Sequence, residues 1–195
     1  MQRFEFYKSI YGRENSRREF LTNSINIPIG ILTAIFSAFT YFVSSFQNDN
    51  LLINIIFYLL AFLCFVSNTI AIIYLLKSFN GFYKGHEYKE LPFLRTMEDY
   101  YIELVKHYKK DEEKVNKEFE YFIISELVEY TDINIKLNDQ RSLDLFQAKK
   151  FIFFSLISLA LICIPYVSLN SNNHKKDLKE SKIQQSSYSD YNLII

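Results

Sequence analysis

The sequence is poor in the residues from which most reactive sites and covalent staples are built. Two cysteines in 195 residues, Cys64 and Cys163, have no paired spacing, so neither a disulfide framework nor a zinc cluster is available. The four glycines, Gly12, Gly30, Gly81 and Gly85, are too scattered to form a phosphate loop or a nucleotide fingerprint. His86, His107 and His174 fall far apart, in a predicted connector, a helix and a tail. No GxSxG or HExxH pattern accompanies them, and the acids between residues 77 and 150 have no metal-ligand spacing. Net charge is absent too: 22 Lys+Arg balance 22 Asp+Glu. That balance excludes a strongly basic nucleic-acid binder as the whole molecule. These absences point away from an enzyme and from any cofactor or metal.

The chain is rich in long runs without charge. Ile25–Phe46, Leu51–Leu76 and Phe151–Leu169 are 22, 26 and 19 residues long and contain no Asp, Glu, Lys or Arg. As helices they measure about 28 to 39 Å, enough to cross a hydrocarbon layer of about 30 Å. All 44 charges therefore sit on the remaining 128 residues, so the mean hydropathy of −0.02 conceals a segregated chain. The predicted fold class is all-α: an integral membrane protein with three transmembrane helices and a cytoplasmic helical region, forming a symmetric oligomer.

The divisions follow the charge. Residues 1–24 read as a cytoplasmic amphipathic helix, with Phe4, Tyr7, Ile10, Tyr11 and Leu21 at headgroup depth. Its arginines, Arg13, Arg17 and Arg18, serve either as juxtamembrane anchors beside lipid or as a site for an anionic ligand. Residues 25–76 form a transmembrane hairpin, too long and too far from the start for a cleaved signal. Pro28 falls in its first turn, where a missing N–H does no harm. Residues 77–150 are cytoplasmic and helical, with Asp111 a candidate N-cap. Residues 151–169 are the third span, which Pro165 kinks or terminates, and 170–195 read as a mostly disordered tail. Basic residues before the first span, and none in the short loop at 47–50, place the N-terminus and residues 77–150 in the cytoplasm of an inner-membrane protein. The same rule puts the tail outside, unless the third segment re-enters.

Two patterns carry functional candidates. On the first span, Gly30, Thr33, Ser37, Thr40 and Ser44 step by three and four, a stripe of small and hydroxyl residues on one face. Such a stripe either lets helices pack closely or lines a pore shared by several subunits. Asn54 and Asn68, on one face of the second span, are costly in hydrocarbon and should point into a bundle or a water-filled path. On the long helix, Ile123, Leu127, Tyr130, Asn134, Asn138, Arg141, Leu145, Ala148, Ile152 and Ser155 form a near-heptad seam that runs unbroken into the third span. At its centre Asn134, Asn138 and Arg141 set an oligomer's register, bind a ligand, or face water.

The membrane helices, the cytoplasmic helical region and the helix bearing Asn134, Asn138, Arg141 and Ala148 ahead of the last span resemble small bacterial membrane effectors of anti-phage defence. These are the SLATT-type two-helix effectors and the Hailong-type effector. The resemblance implies an oligomeric channel or membrane-disrupting toxin, controlled by a nucleotide ligand or a nucleotidyltransferase partner, that depolarises the infected cell. It also implies that Asn134, Asn138 and Arg141 belong to a cytoplasmic assembly or ligand surface. The chain departs from the nucleotide-sensing fusions in lacking a separate sensor domain. The expected function is thus a pore-forming effector gated through its cytoplasmic helices, with membrane lipid and copies of itself as partners. The alternative is a non-conducting adaptor that recruits a cytoplasmic partner.

Overall fold

A computed structural model describes residues 2–48, 50–79, 87–109 and 111–191, with side chains described from 3 to 167. Gly81, Gly85 and His86, and the side chain of His174, lie outside this set. The described residues contain helices and no strands: α1 (Gln2–Asn23), α2 (Asn26–Ser45), α3 (Leu51–Ser78), α4 (Leu94–His107) and α5 (Glu112–Tyr191). Three of the helical stretches are long and apolar enough to cross a membrane. The chain divides into two units, residues 1–28 with 72–148, and 29–71 with 149–195.

The first unit gathers α1, α4, the segment 87–91 and α5 as far as Ala148. The inward face of α1 recurs at steps of three and four, with Tyr7 and Tyr11 half-buried and Glu14 and Leu21 buried. Phe4 and Ile10 are half-buried as well. Of the face expected at headgroup depth, Leu21 is thus buried against protein, while Phe4, Tyr7, Ile10 and Tyr11 keep part of their surface exposed. Helices α4 and α5 are joined by a tight connection in which Lys109 adopts a left-handed φ of 50°. Asp111 then caps α5 as its spacing predicts: its Oδ1 accepts from the Lys114 N–H at 3.4 Å, and its carboxylate pairs with Lys114 Nζ at 3.1 Å. Lys114 also holds the Asp111 carboxyl below its ordinary value. Aromatic contacts fasten the two helices, with Tyr100 against Phe122 at 4.5 Å and Tyr101 edge-on to Phe119 at 5.2 Å.

The second unit holds the charge-free parts of α2 and α3 with α5 from Lys149. Asn50 caps α3, its Oδ1 accepting from the Leu52 N–H at 3.0 Å. Hydrocarbon gives apolar side chains little reason to hide from their surroundings, so close packing carries the association of such helices. Phe46 stacks on the fully buried Phe57 at 3.6 Å, and Phe42 meets Tyr166 edge-on at 5.0 Å. Phe36, Leu59, Phe62, Phe153 and Ile164 point outward. This is the surface a hydrocarbon environment requires.

Helix α5 contributes to both units and is continuous, as the unbroken seam predicts. Pro165 lies inside it and does not end it. Proline in a helix removes one N–H donor and crowds the carbonyl four residues earlier, a defect that membrane helices tolerate. The backbone stays helical to Tyr191, although composition alone predicts little regular structure after 170. No glycine or proline follows Pro165 to interrupt it.

Candidate functional site

The polar centre of the α5 seam is buried inside the first unit. Asn134, Asn138 and Arg141 are 1%, 0% and 4% exposed, which rules out the reading in which they face water. A buried amide or guanidinium is tolerated only when its hydrogen bonds are made, and here the chain's own residues make them. Asn134 donates Nδ2 to the Lys89 carbonyl and accepts the Lys89 N–H at Oδ1, both at 2.9 Å. Asn138 donates Nδ2 to the Glu14 carbonyl at 3.0 Å and to its carboxylate at 3.1 Å. Arg141 donates Nε to the Ser78 carbonyl at 2.8 Å, Nη1 to the Tyr88 hydroxyl at 2.9 Å and Nη2 to Thr22 Oγ1 at 3.0 Å.

Tyr88 links these groups. Its hydroxyl donates to Asn138 Oδ1 while accepting from Arg141. A directional chain of hydrogen bonds results, running from the Arg141 cation through Tyr88 and Asn138 to the Glu14 carboxylate. Arg141 has no carboxylate within ion-pair distance among the described residues, so this chain is how its charge is balanced. Each group polarises the next, and loss of one member leaves the others under-satisfied.

The segment around Tyr88 is a short non-helical strap that bonds to both α1 and α5. Arg18 stacks over the Tyr88 ring, 4.4 Å from its centre, and pairs with Glu90 at 3.2 Å. The Leu91 N–H reaches the Tyr11 hydroxyl at 3.4 Å. The Lys89 side chain is exposed and has no partner among the described residues. Each strap hydrogen bond is worth about 0.5–1.5 kcal/mol net, while ordering its backbone costs about 1–2 kcal/mol per residue. The strap is therefore held with little margin.

The N-terminal arginines are engaged by carboxylates. Arg17 pairs with Asp139 at 2.7 Å and with Glu14 at 3.5 Å, and its hydrogen bond to Asp139 raises its already high pKa. Arg13 lies 3.6 Å from Glu14, and Arg18 is held by Glu90. A free anionic ligand would have to displace one of these acids. A cleft of about 590 Å³ beside Arg18, Thr22 and Glu90 is lined by both signs of charge, Glu19 included.

In the second unit the sequence-derived pore set separates into two surfaces. Thr33, Ser37, Thr40 and Ser44 lie together on the exposed face of α2, while Leu32 and Ile35 are on its buried face and Phe46, just past its end, is buried as well. A methyl group added at Gly30 would meet nothing within 4 Å. Three of the hydroxyls bond to carbonyls of their own helix, Thr33 to Ile29, Ser37 to Thr33 and Thr40 to Ser37. Asn54 and Asn68 do not join this surface. Asn54 is half-buried and donates to the Asn48 carbonyl at 2.9 Å. Asn68 is buried on α3, its Nδ2 3.9 Å from Cys64 Sγ and its Oδ1 without a partner among the described residues. Cys64 lies 3.3 Å from Ser155 Oγ, so a polar contact joins α3 to α5 within this unit.

Glu14, Thr22, Ser78, Tyr88 and Lys89 are the members of the network that sequence reasoning missed. Glu14 carries one faint signal: it falls on the same helical face as Tyr7, Tyr11 and Leu21. No group of three His, Cys, Asp or Glu able to hold a metal occurs among the described residues. Comparison with protein-family models, with curated proteins and with solved structures finds no match. The class defined by the fold is an all-helical chain with three helices suited to crossing a membrane.

Proposed function

We propose that the protein is an oligomeric membrane pore or channel, controlled through the helices of its first unit. The outward orientation of the α2 stripe carries this reading. A helix that needed Gly30, Thr33, Ser37 and Ser44 only to approach its own neighbours would turn them inward, as α3 does with Ala61 and Ala71. Polar atoms on the outer face of a membrane helix are instead available to another copy of the chain or to an aqueous path. Three spans enclose too little space for a path alone, so conduction requires several copies. The α5 seam does not supply the contact between them, since its residues are buried within the chain.

The distribution of basic residues supports a topology with the N-terminus and residues 77–150 on the cytoplasmic side of a bacterial inner membrane. The resemblance to anti-phage effectors supports depolarisation of an infected cell as the physiological outcome. Because Arg13, Arg17 and Arg18 already have acidic partners, control by a partner protein fits the geometry better than a nucleotide bound to those side chains. A non-conducting adaptor is the second reading. It is favoured by Phe93 and Leu94, which stand 86% and 85% exposed at the start of α4, where a recruited protein would find an apolar handle.

Purified protein in liposomes tests the choice. Ion flux should appear with the wild type and fall when Thr33, Ser37 and Thr40 are all replaced by leucine. Absence of flux, or flux indifferent to the triple replacement, supports the adaptor. A monomer in detergent and in liposomes overturns the pore.

A further inference from the structure

We propose that α1 and α5 form a recognition groove for an extended peptide of the pattern Tyr-X-Glu, occupied in this structure by the chain's own Tyr88-Lys89-Glu90. The contacts have the layout of a peptide site. Asn134 uses both ends of its amide on the N–H and carbonyl of one residue, Lys89, and so reads backbone regardless of side chain. The residues on either side are read by their chemistry. The tyrosine hydroxyl is both acceptor and donor between Arg141 and Asn138, which distinguishes it from phenylalanine. The tyrosine ring lies under the Arg18 guanidinium, and the same guanidinium takes the glutamate. Tyr11 meets the next backbone N–H, at Leu91. The middle side chain, Lys89, is not read at all.

The groove and its occupant differ in how they are held. Asn134, Asn138 and Arg141 are buried on a long helix, whereas Glu87, Lys89 and Glu90 are exposed and only Tyr88 and Leu91 are half-buried. The strap can therefore leave without exposing a large apolar core: Asn138 then keeps its bonds to Glu14 and Arg141 its bonds to Ser78 and Thr22, while both ends of the Asn134 amide come free to take another backbone. A preformed polar groove filled by a lightly held segment is suited to exchange: a Tyr-X-Glu peptide from a partner takes the same positions and frees the strap. This proposal does not depend on conduction, and its readout is separate from flux.

The test uses the full chain in detergent and a fluorescent pentapeptide, Glu-Tyr-Lys-Glu-Leu, the sequence of residues 87–91. The double variant Tyr88→Ala with Glu90→Ala weakens the resident strap. It should bind the peptide saturably and about tenfold or more tightly than the wild type, in which the tethered strap competes at an effective concentration on the order of millimolar. Replacing the peptide's tyrosine by phenylalanine, or its second glutamate by glutamine, should weaken binding about tenfold. Replacing its lysine by alanine should leave binding unchanged, and adding Asn134→Ala to the protein should abolish it. No saturable binding to a variant that keeps its helical circular dichroism, or equal binding of a scrambled peptide, overturns the proposal. A second measurement applies to the wild type even if the variant fails to fold. Millimolar pentapeptide should accelerate hydrogen exchange in the segment containing the Lys89 and Leu91 amides, and exchange that is insensitive to the peptide overturns the proposal equally.

Discussion

Asn134 holds both backbone polar groups of Lys89, a residue 45 positions earlier in the chain, at 2.9 Å each. The contact replaces, for one residue, the paired bonds a strand would receive from a neighbour in a sheet. Asn134→Ala removes both and leaves a buried gap beside the strap. It should cost about 1–3 kcal/mol of stability, read from thermal unfolding in detergent, and should raise amide exchange at Lys89 ahead of its surroundings. Exchange at Lys89 that stays slow would mean the strap is held elsewhere.

Glu14 and Asp139 both pair with Arg17 but differ in solvent access, their side chains being 5% and 59% exposed. Glu14→Ala strips a buried acceptor from Asn138 and should cost about 1–3 kcal/mol. Asp139→Asn breaks an ion pair in contact with water and should cost about 0–1 kcal/mol despite its shorter distance. Denaturation of the two variants side by side decides this, and equal losses would show that burial is not the controlling variable.

Tyr130 responds to alkali. The Glu126 carboxylate one turn earlier accepts its hydrogen bond and, with burial, pushes its pKa up from 10.0 to about 12. A folded value above the unfolded one means the neutral phenol is favoured by folding. Its contribution is therefore complete below about pH 10 and is lost as the pH rises toward about 12. Tyr130→Phe, which has no proton to lose, should remove this part of the alkaline loss when unfolding midpoints are followed across that window. Parallel curves for the variant and the wild type would refute the assignment.

Ser37 and Ser155 are both serines in charge-free helical runs, yet one is exposed and the other fully buried. Ser37→Leu should leave the stability of the single chain within about 0.5 kcal/mol, whereas Ser155→Leu overfills a packed site and should cost about 1–3 kcal/mol. Thermal unfolding of dilute protein in detergent compares them. A large loss from Ser37→Leu in a monomer would show that the stripe packs within the chain.

Much of this architecture is legible because periodicity reports burial. Of the ten seam residues, Leu127, Asn134, Asn138, Arg141, Leu145, Ala148, Ile152 and Ser155 are buried, while Ile123 and Tyr130 are half-buried. The partner of that face is not legible. A seam of this kind reads as a contact between copies, but the polar layer is filled by Glu14, Tyr88 and the Lys89 backbone from more than 40 residues away. Lys89 acts through peptide atoms, which every residue has, so no residue type marks it. Tyr88 lies in an irregular stretch with no period to phase it. On α3, two seven-residue steps from Asn54 through Ala61 to Asn68 put the asparagines near one face, yet the sequence alone does not tell that this face is opposite in kind to the outward stripe on α2.

The hydroxyls of that stripe have a further chemical consequence. Thr33, Ser37 and Thr40 have committed their only hydrogens to carbonyls of their own helix. What they present outward is oxygen lone pairs alone, a one-signed edge on an uncharged helix. Any water, ion or neighbouring side chain that meets these three hydroxyls must bring the hydrogen or the positive charge itself.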